Sequence, residues 1–175
     1  FWDGSRKPTG VVINIACTSQ ETEGLSEVSA DFWHDVRQEL HNKIAPDLFV
    51  LPQCAPAGDL SPHLLFRSRA EQTMIEQRGL SRRQEIARRI VGAVQDVLPL
   101  VQRRIETDIV FKHAVARVNI PPASSVNAPF YTTDTIAPVE LHVLRLGEVA
   151  MATNPFELYL DYGIRMKARS PATMT

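Results

Sequence analysis

The sequence predicts a mixed α/β fold: a largely parallel sheet flanked by helices on both faces, with one β-hairpin. Three observations predict it. VVINIAC (11–17) is a continuous, mostly β-branched apolar run, as expected of a strand buried on both faces, and DLFVLPQ (47–53) is a second apolar run of strand length. Between them, SADFWHDVRQELHNKI (29–44) repeats its apolar residues at helical spacing. A strand, a helix and a strand in that order fit a crossover between parallel neighbours.

The elements follow in chain order. TSQETEGLSEVS (18–29) is a polar loop after the first strand. In the 29–44 helix Ser29 is the expected N-cap, Phe32, Trp33, Val36, Leu40 and Ile44 form the stripe, and Pro46 ends it. Residues 64–80 are polar and mixed, a lid-like excursion or a broken helix, with Arg67, Arg69 and Arg78 along it. The helix over 81–105 opens on a capping box, Ser81 with Gln84. Ile86, Ile90, Val94, Val97 and Val101 recur on one side of it, Pro99 is expected to kink or end it near Leu98, and Arg82, Arg83, Arg88 and Arg89 read as its solvated face. IVFKHAVARVNI (109–120) alternates as a strand does, with Ala114, Ala116, Val118 and Ile120 on one face. PPASSVNAP (121–129) is a proline-rich loop, and VELHVLRLGEVAMATN (139–154) is a hairpin turning at Leu146-Gly147. PFELYLDYGIRMKA (155–168) reads as a last helix with proline in its first turn.

The chain has 175 residues, 44% hydrophobic and 22% charged, which suits one α/β domain with a real core. A formal net charge of −1 with no basic block gives no nucleic-acid footprint. No apolar run is long enough for a transmembrane segment. Cys17 and Cys54 fall at the ends of two strands; they pair if those strands are neighbours, or sit as buried free thiols. The chain starts at Phe1 without a methionine or a signal peptide, and ARSPATMT reads as the entry to another element, so a piece of a longer parent chain is expected.

The candidate chemistry clusters at strand ends. In open α/β sheets, ligands sit at the carboxyl ends of parallel strands. Loops leave such ends after Cys17, Gln53 and Thr153, so Thr18, Ser61 and Glu157 are expected to face one crevice. The loop AGDLSPH (57–63) offers Ser61 as a nucleophile if a base or metal activates it. Gly58 permits a sharp turn, and backbone N–H groups from Gly58 to Ser61 can receive an oxyanion. Equally, Asp59 and Ser61 can form an Asx or ST turn before Pro62. Glu157 is either a hard oxygen ligand or acid/base, or simply a carboxylate favoured in the first turn of a helix. Of the five histidines, His34 and His41 lie one heptad apart on a helix, His113 and His142 lie in strands, and His63 is either a loop residue or the base of a metal-free serine hydrolase. Cys54 has no histidine marked as a catalytic partner and reads as a small filler.

Over most of its length the chain resembles the catalytic domain of the neutral/alkaline (non-lysosomal) ceramidases. VVINIACTSQ resembles the family strand that ends in Ala, one residue and His. LFVLPQCAPAGDLSPH resembles the segment bearing Gly-Asp-x-Ser-Pro, and HVLRLGEVAMATNPFE resembles the hairpin running into a Pro-Gly-Glu-Phe turn. The resemblance implies a zinc-dependent amidase that cuts an N-acyl bond, a lipid or small-molecule amide as substrate, and a secreted or periplasmic protein. Ser61 falls on the nucleophilic serine within Gly58-Asp59-Leu60-Ser61-Pro62, and Glu157 on a glutamate zinc ligand. Thr18 falls on a histidine zinc ligand, and Phe156 on the glycine beside the glutamate. A neutral threonine hydroxyl is a far weaker zinc ligand than imidazole. Two functions are therefore expected from the resemblance: a divergent hydrolase of N-acyl amides, or a non-catalytic ceramidase-like domain that binds a lipid, a glycan or a protein partner.

Overall fold

The computed structural model describes residues 1–119 and 138–175 and divides the chain into two compact units, Phe1–Ile105 and Glu106–Thr175. The expected 121–129 loop and Ile120 lie outside the described residues. The mixed α/β class is observed in the element order. It runs β1 (Gly10–Ile15), α1 (Phe32–Lys43), β2 (Phe49–Cys54), α2 (Ser68–Gln77), α3 (Arg82–Val101), β3 (Phe111–Val118), β4 (Val139–Leu146), β5 (Val149–Ala152) and α4 (Leu160–Arg169).

In the first unit β1 and β2 pair in parallel, from Gly10 opposite Phe49 to Ile15 opposite Cys54, with α1 as the crossover. Side chains alternate across a strand with period two. Val11, Ile13 and Ile15 therefore share a face of β1, and they pack with Cys17, Leu48 and Val50 against Phe32, Trp33, Val36 and Leu40 of α1 and Ala87 and Val91 of α3. Both helices cover this one face. On the other, Phe49 is 65% and Leu51 40% exposed, so the parallel pair is not buried on both faces as its composition suggests. Apolar composition marks a strand but cannot say how many helices will cover it. The described strands also form two separate sheets, the parallel pair and an antiparallel sheet of three, instead of one largely parallel sheet.

The helix ends shift from their expected places for local reasons. Asp31, not Ser29, caps α1: its carboxylate accepts from the Phe32 amide at 2.7 Å, and Ser29 Oγ accepts from the Asp31 amide instead. The Ser81–Gln84 capping box opens α3 as expected. Pro99 does not end α3, which runs to Val101 and tightens into a 3₁₀ turn over Gln102–Arg104. The mixed segment before α3 contains a true helix, α2, anchored by the buried Ile75.

In the second unit β3, β4 and β5 form an antiparallel sheet in that order. The β4–β5 hairpin turns through Gly147 and Glu148, with Leu146 opposite Val149. Gly147 has φ +57, the sign that the first position of such a tight loop requires. All eight residues of β3 are exposed, so the expected apolar face is not covered by the described residues. The last helix begins at Leu160; Pro155–Tyr159 is loop, in which the Asn154 side chain accepts from the Phe156 amide at 2.8 Å. No helix among the described residues is long and apolar enough to cross a membrane.

Candidate functional site

Parallel pairing sends the loops after β1 and β2 out of the same edge of the sheet. These are the loops that carry Thr18 and Ser61. The first is fastened by Asp31, which is buried and holds φ +51, a costly angle for a residue with a side chain. Besides capping α1, Asp31 accepts from the amide and the hydroxyl of Thr22, both at 2.8 Å. Ser19 accepts from the Trp33 indole N–H at 2.9 Å. The loop is thus tied to the helix that packs beneath the strands.

The second loop turns at Ala57–Leu60, where the Leu60 amide donates to the Ala57 carbonyl at 2.9 Å and closes a turn over Gly58 and Asp59. The Leu60 N–H is therefore occupied, and the expected run of oxyanion donors loses one member. Ser61 and His63 emerge just beyond. The Ser61 hydroxyl lies 3.0 Å from Nδ1 of His63 and also accepts from the His63 amide at 3.2 Å. The turn reading and the nucleophile–base reading thus describe the same arrangement: the ST turn is what places the imidazole against the hydroxyl.

The two loops meet. Nε2 of His63 is 3.8 Å from the Glu23 carboxylate of the first loop. Arg82, at the start of α3, donates to the Pro62 carbonyl and sits with Nε 3.5 Å from Oε1 of Glu21. Its side chain is only 18% exposed, so Arg82 is a clamp between loops and not part of a solvated face. Arg88 and Arg89 are likewise engaged, together with Arg78, on the fully buried carboxylate of Glu85. Glu23 and Arg82 are the residues that sequence reasoning missed. No local signal names Glu23, because its partner is forty residues away; Arg82 sits in the first turn of a helix whose buried face starts at Glu85.

Thr18 lies in the loop three residues beyond β1, with its hydroxyl buried and without a hydrogen-bond partner among the described residues. Glu157 lies in the second unit, exposed, in the loop before α4; it is not in the first turn of a helix. Among the described residues no three histidines, cysteines, aspartates or glutamates are grouped so that they could hold a metal. Position 18 offers a neutral hydroxyl, whereas a catalytic zinc site normally takes three imidazole, thiolate or carboxylate ligands and an open position.

Cys17 and Cys54 are both free; Cys54 ends β2 opposite Ile15, and Cys17 lies two residues past the end of β1. Cys54 is exposed, not buried as expected; its thiol lies 3.3 Å from its neighbour's carbonyl at Ala55. Burial pushes the Cys17 thiol up, and the nearby Cys54, Asp31 and Glu21 add to that while Arg82 opposes it. Of the other histidines, His41 contacts the Leu48 carbonyl, and His113 stacks on His142 in the second unit. Comparison of the chain with protein-family models, with curated proteins and with solved structures found no match.

Proposed function

We propose that the chain is a divergent ceramidase-like hydrolase of N-acyl amide bonds, with Ser61 as the nucleophile. One observation carries the reading: a serine hydroxyl 3.0 Å from an imidazole nitrogen, at the carboxyl edge of a parallel strand pair. That is where an α/β fold presents reactive groups, and a hydroxyl needs such a base to attack a carbonyl. The resemblance of the Gly58–Pro62 segment to the ceramidase motif supports the same serine and suggests a lipid or other acyl amide as substrate. The experiment is hydrolysis of a fluorogenic N-acyl amide by the full-length protein. Activity that Ser61→Ala removes supports the proposal. Unchanged activity in that variant, or none in the wild type across acyl chain lengths, contradicts it.

A second reading has its own observation. Thr18 replaces a family ligand and leaves a buried hydroxyl without a partner among the described residues, which suits a domain that kept its fold and lost its chemistry. Such a domain would bind a lipid, a glycan or a protein partner. Binding of N-acyl lipid vesicles that is equal in the wild type and Ser61→Ala, without turnover, favours this alternative.

A further inference from the structure

We propose that Ser61 has its own base, a Glu23–His63–Ser61 relay clamped by Arg82, so that its activation needs no metal. The inference rests on the hydrolase reading and deepens it.

The proton positions follow from the contacts. Ser61 Oγ already accepts from the His63 amide, so its own hydrogen is free to point at Nδ1, 3.0 Å away. Nδ1 accepts only if the ring carries its hydrogen on Nε2. The Glu23 carboxylate, 3.8 Å from Nε2, favours that tautomer. At this distance Glu23 acts through its charge and not through a formed hydrogen bond. It is a positioning residue, and it stabilises the imidazolium that appears when Ser61 gives up its proton. The geometry would otherwise be loose, because Glu23 and His63 come from different loops. Arg82 answers that: one guanidinium holds the Pro62 carbonyl, between Ser61 and His63 in the chain, and faces Glu21, two residues before Glu23.

The chemistry balances without a further reactant. Oγ bonds to the acyl carbon while its proton passes to Nδ1. The C–N bond then breaks and His63 returns the proton to the departing amine nitrogen. Water attacks the acyl-serine ester, His63 takes its proton and hands it to Oγ, and the C–Oγ bond breaks to release the carboxylic acid.

A fluorophosphonate probe tests the relay directly, since it reports serine activation without a knowledge of the substrate. Oγ bonds to phosphorus, fluoride leaves, and the serine proton stays with His63. The full-length protein is labelled with and without a zinc chelator, and the modified residue is located by mass spectrometry. The relay predicts labelling at Ser61 that the chelator does not change. His63→Gln should slow it by about a hundredfold or more, the usual worth of a general base. Glu23→Gln should slow the inactivation step by about five- to tenfold, the worth of one charge near 4 Å in water, with probe affinity unchanged. Glu23 and His63 are both partly exposed, so unchanged melting curves separate these effects from misfolding. Labelling that the chelator abolishes and zinc restores overturns the relay and leaves the hydrolase reading standing. So does labelling of His63→Gln at the wild-type rate. A Ser61 that never labels overturns the relay, and the amide hydrolysis assay then decides whether the hydrolase reading falls with it.

Discussion

Asp31 shows how much one side chain can organise. It caps α1, fixes Thr22 and accepts three short hydrogen bonds while holding a backbone angle usually left to glycine. Hydrogen bonds to a charged group contribute about 1.5–3 kcal/mol each, and a lost N-cap costs about 1 kcal/mol. Asp31→Ala is therefore expected to destabilise the protein by roughly 2–4 kcal/mol in chemical denaturation. If the loop matters to the site, the same variant should also slow fluorophosphonate labelling at temperatures where it remains folded. The cysteines give a second test at this scale. The exposed Cys54 should react first with a maleimide at neutral pH, and Cys17 slowly, because burial holds its thiol protonated. Equal rates, measured by peptide mapping, would contradict the packing of β1. Residue identity was readable unevenly. Ser61 and His63 stand two apart, so a local turn sufficed to join them, and the sequence exposes that. Glu23 and Arg82 join through the folded loops, which no short window contains.

At the scale of the element, α3 is held by a charge cluster that a helical pattern hides. Glu85 is fully buried and accepts from Arg78, Arg88 and Arg89, with Arg89 continuing to Glu71 of α2. The hydrogen bond from Arg88 is the main reason its carboxyl is lowered to about 2, and burial works against that. A carboxyl depressed in the folded state adds stability that is complete above its unfolded value, near 4.5, and is lost as pH falls towards 2. Melting temperature should therefore drop through that window in the wild type. Glu85→Gln should be less stable at neutral pH, by about 1–3 kcal/mol, and should show a shallower acid slope. A parallel slope in both proteins would contradict the cluster. The helices themselves were legible: the capping box of α3 and the apolar stripe of α1 follow from spacing, whereas the expected α3 stripe is offset by one residue from Ala87 and Val91, the apolar side chains that α3 buries, with Ile86, Ile90 and Val94 only partly buried beside them. Their edges were not, since Asp31 wins the cap through a contact with Thr22, and Pro99 is accommodated near a helix end whose neighbours Val97, Leu100 and Val101 are exposed.

At the scale of the molecule, the two units differ in how much they bury. The first has a contiguous core from β1, β2, α1 and α3. In the second, Gly163 alone is buried among the described residues. Apolar burial contributes on the order of 25 cal/mol per Å², so the first unit has the means to fold by itself. A fragment of residues 1–105 is expected to unfold cooperatively in urea and to keep the near-ultraviolet signal of Trp33. A broad, non-cooperative transition would contradict an independent core. The fold class was legible because strand, helix, strand is a short-range pattern; the division into two sheets was not, because strand pairing partners are chosen over long distances.

The most direct measurement is mass spectrometry of the full-length protein after brief exposure to an activated acyl ester. An acyl group on Ser61, absent from Ser61→Ala and formed much more slowly in His63→Gln, is the predicted result. Acylation spread over surface lysines, with Ser61 unmodified, would contradict the claim that the loops after β1 and β2 build a working nucleophile.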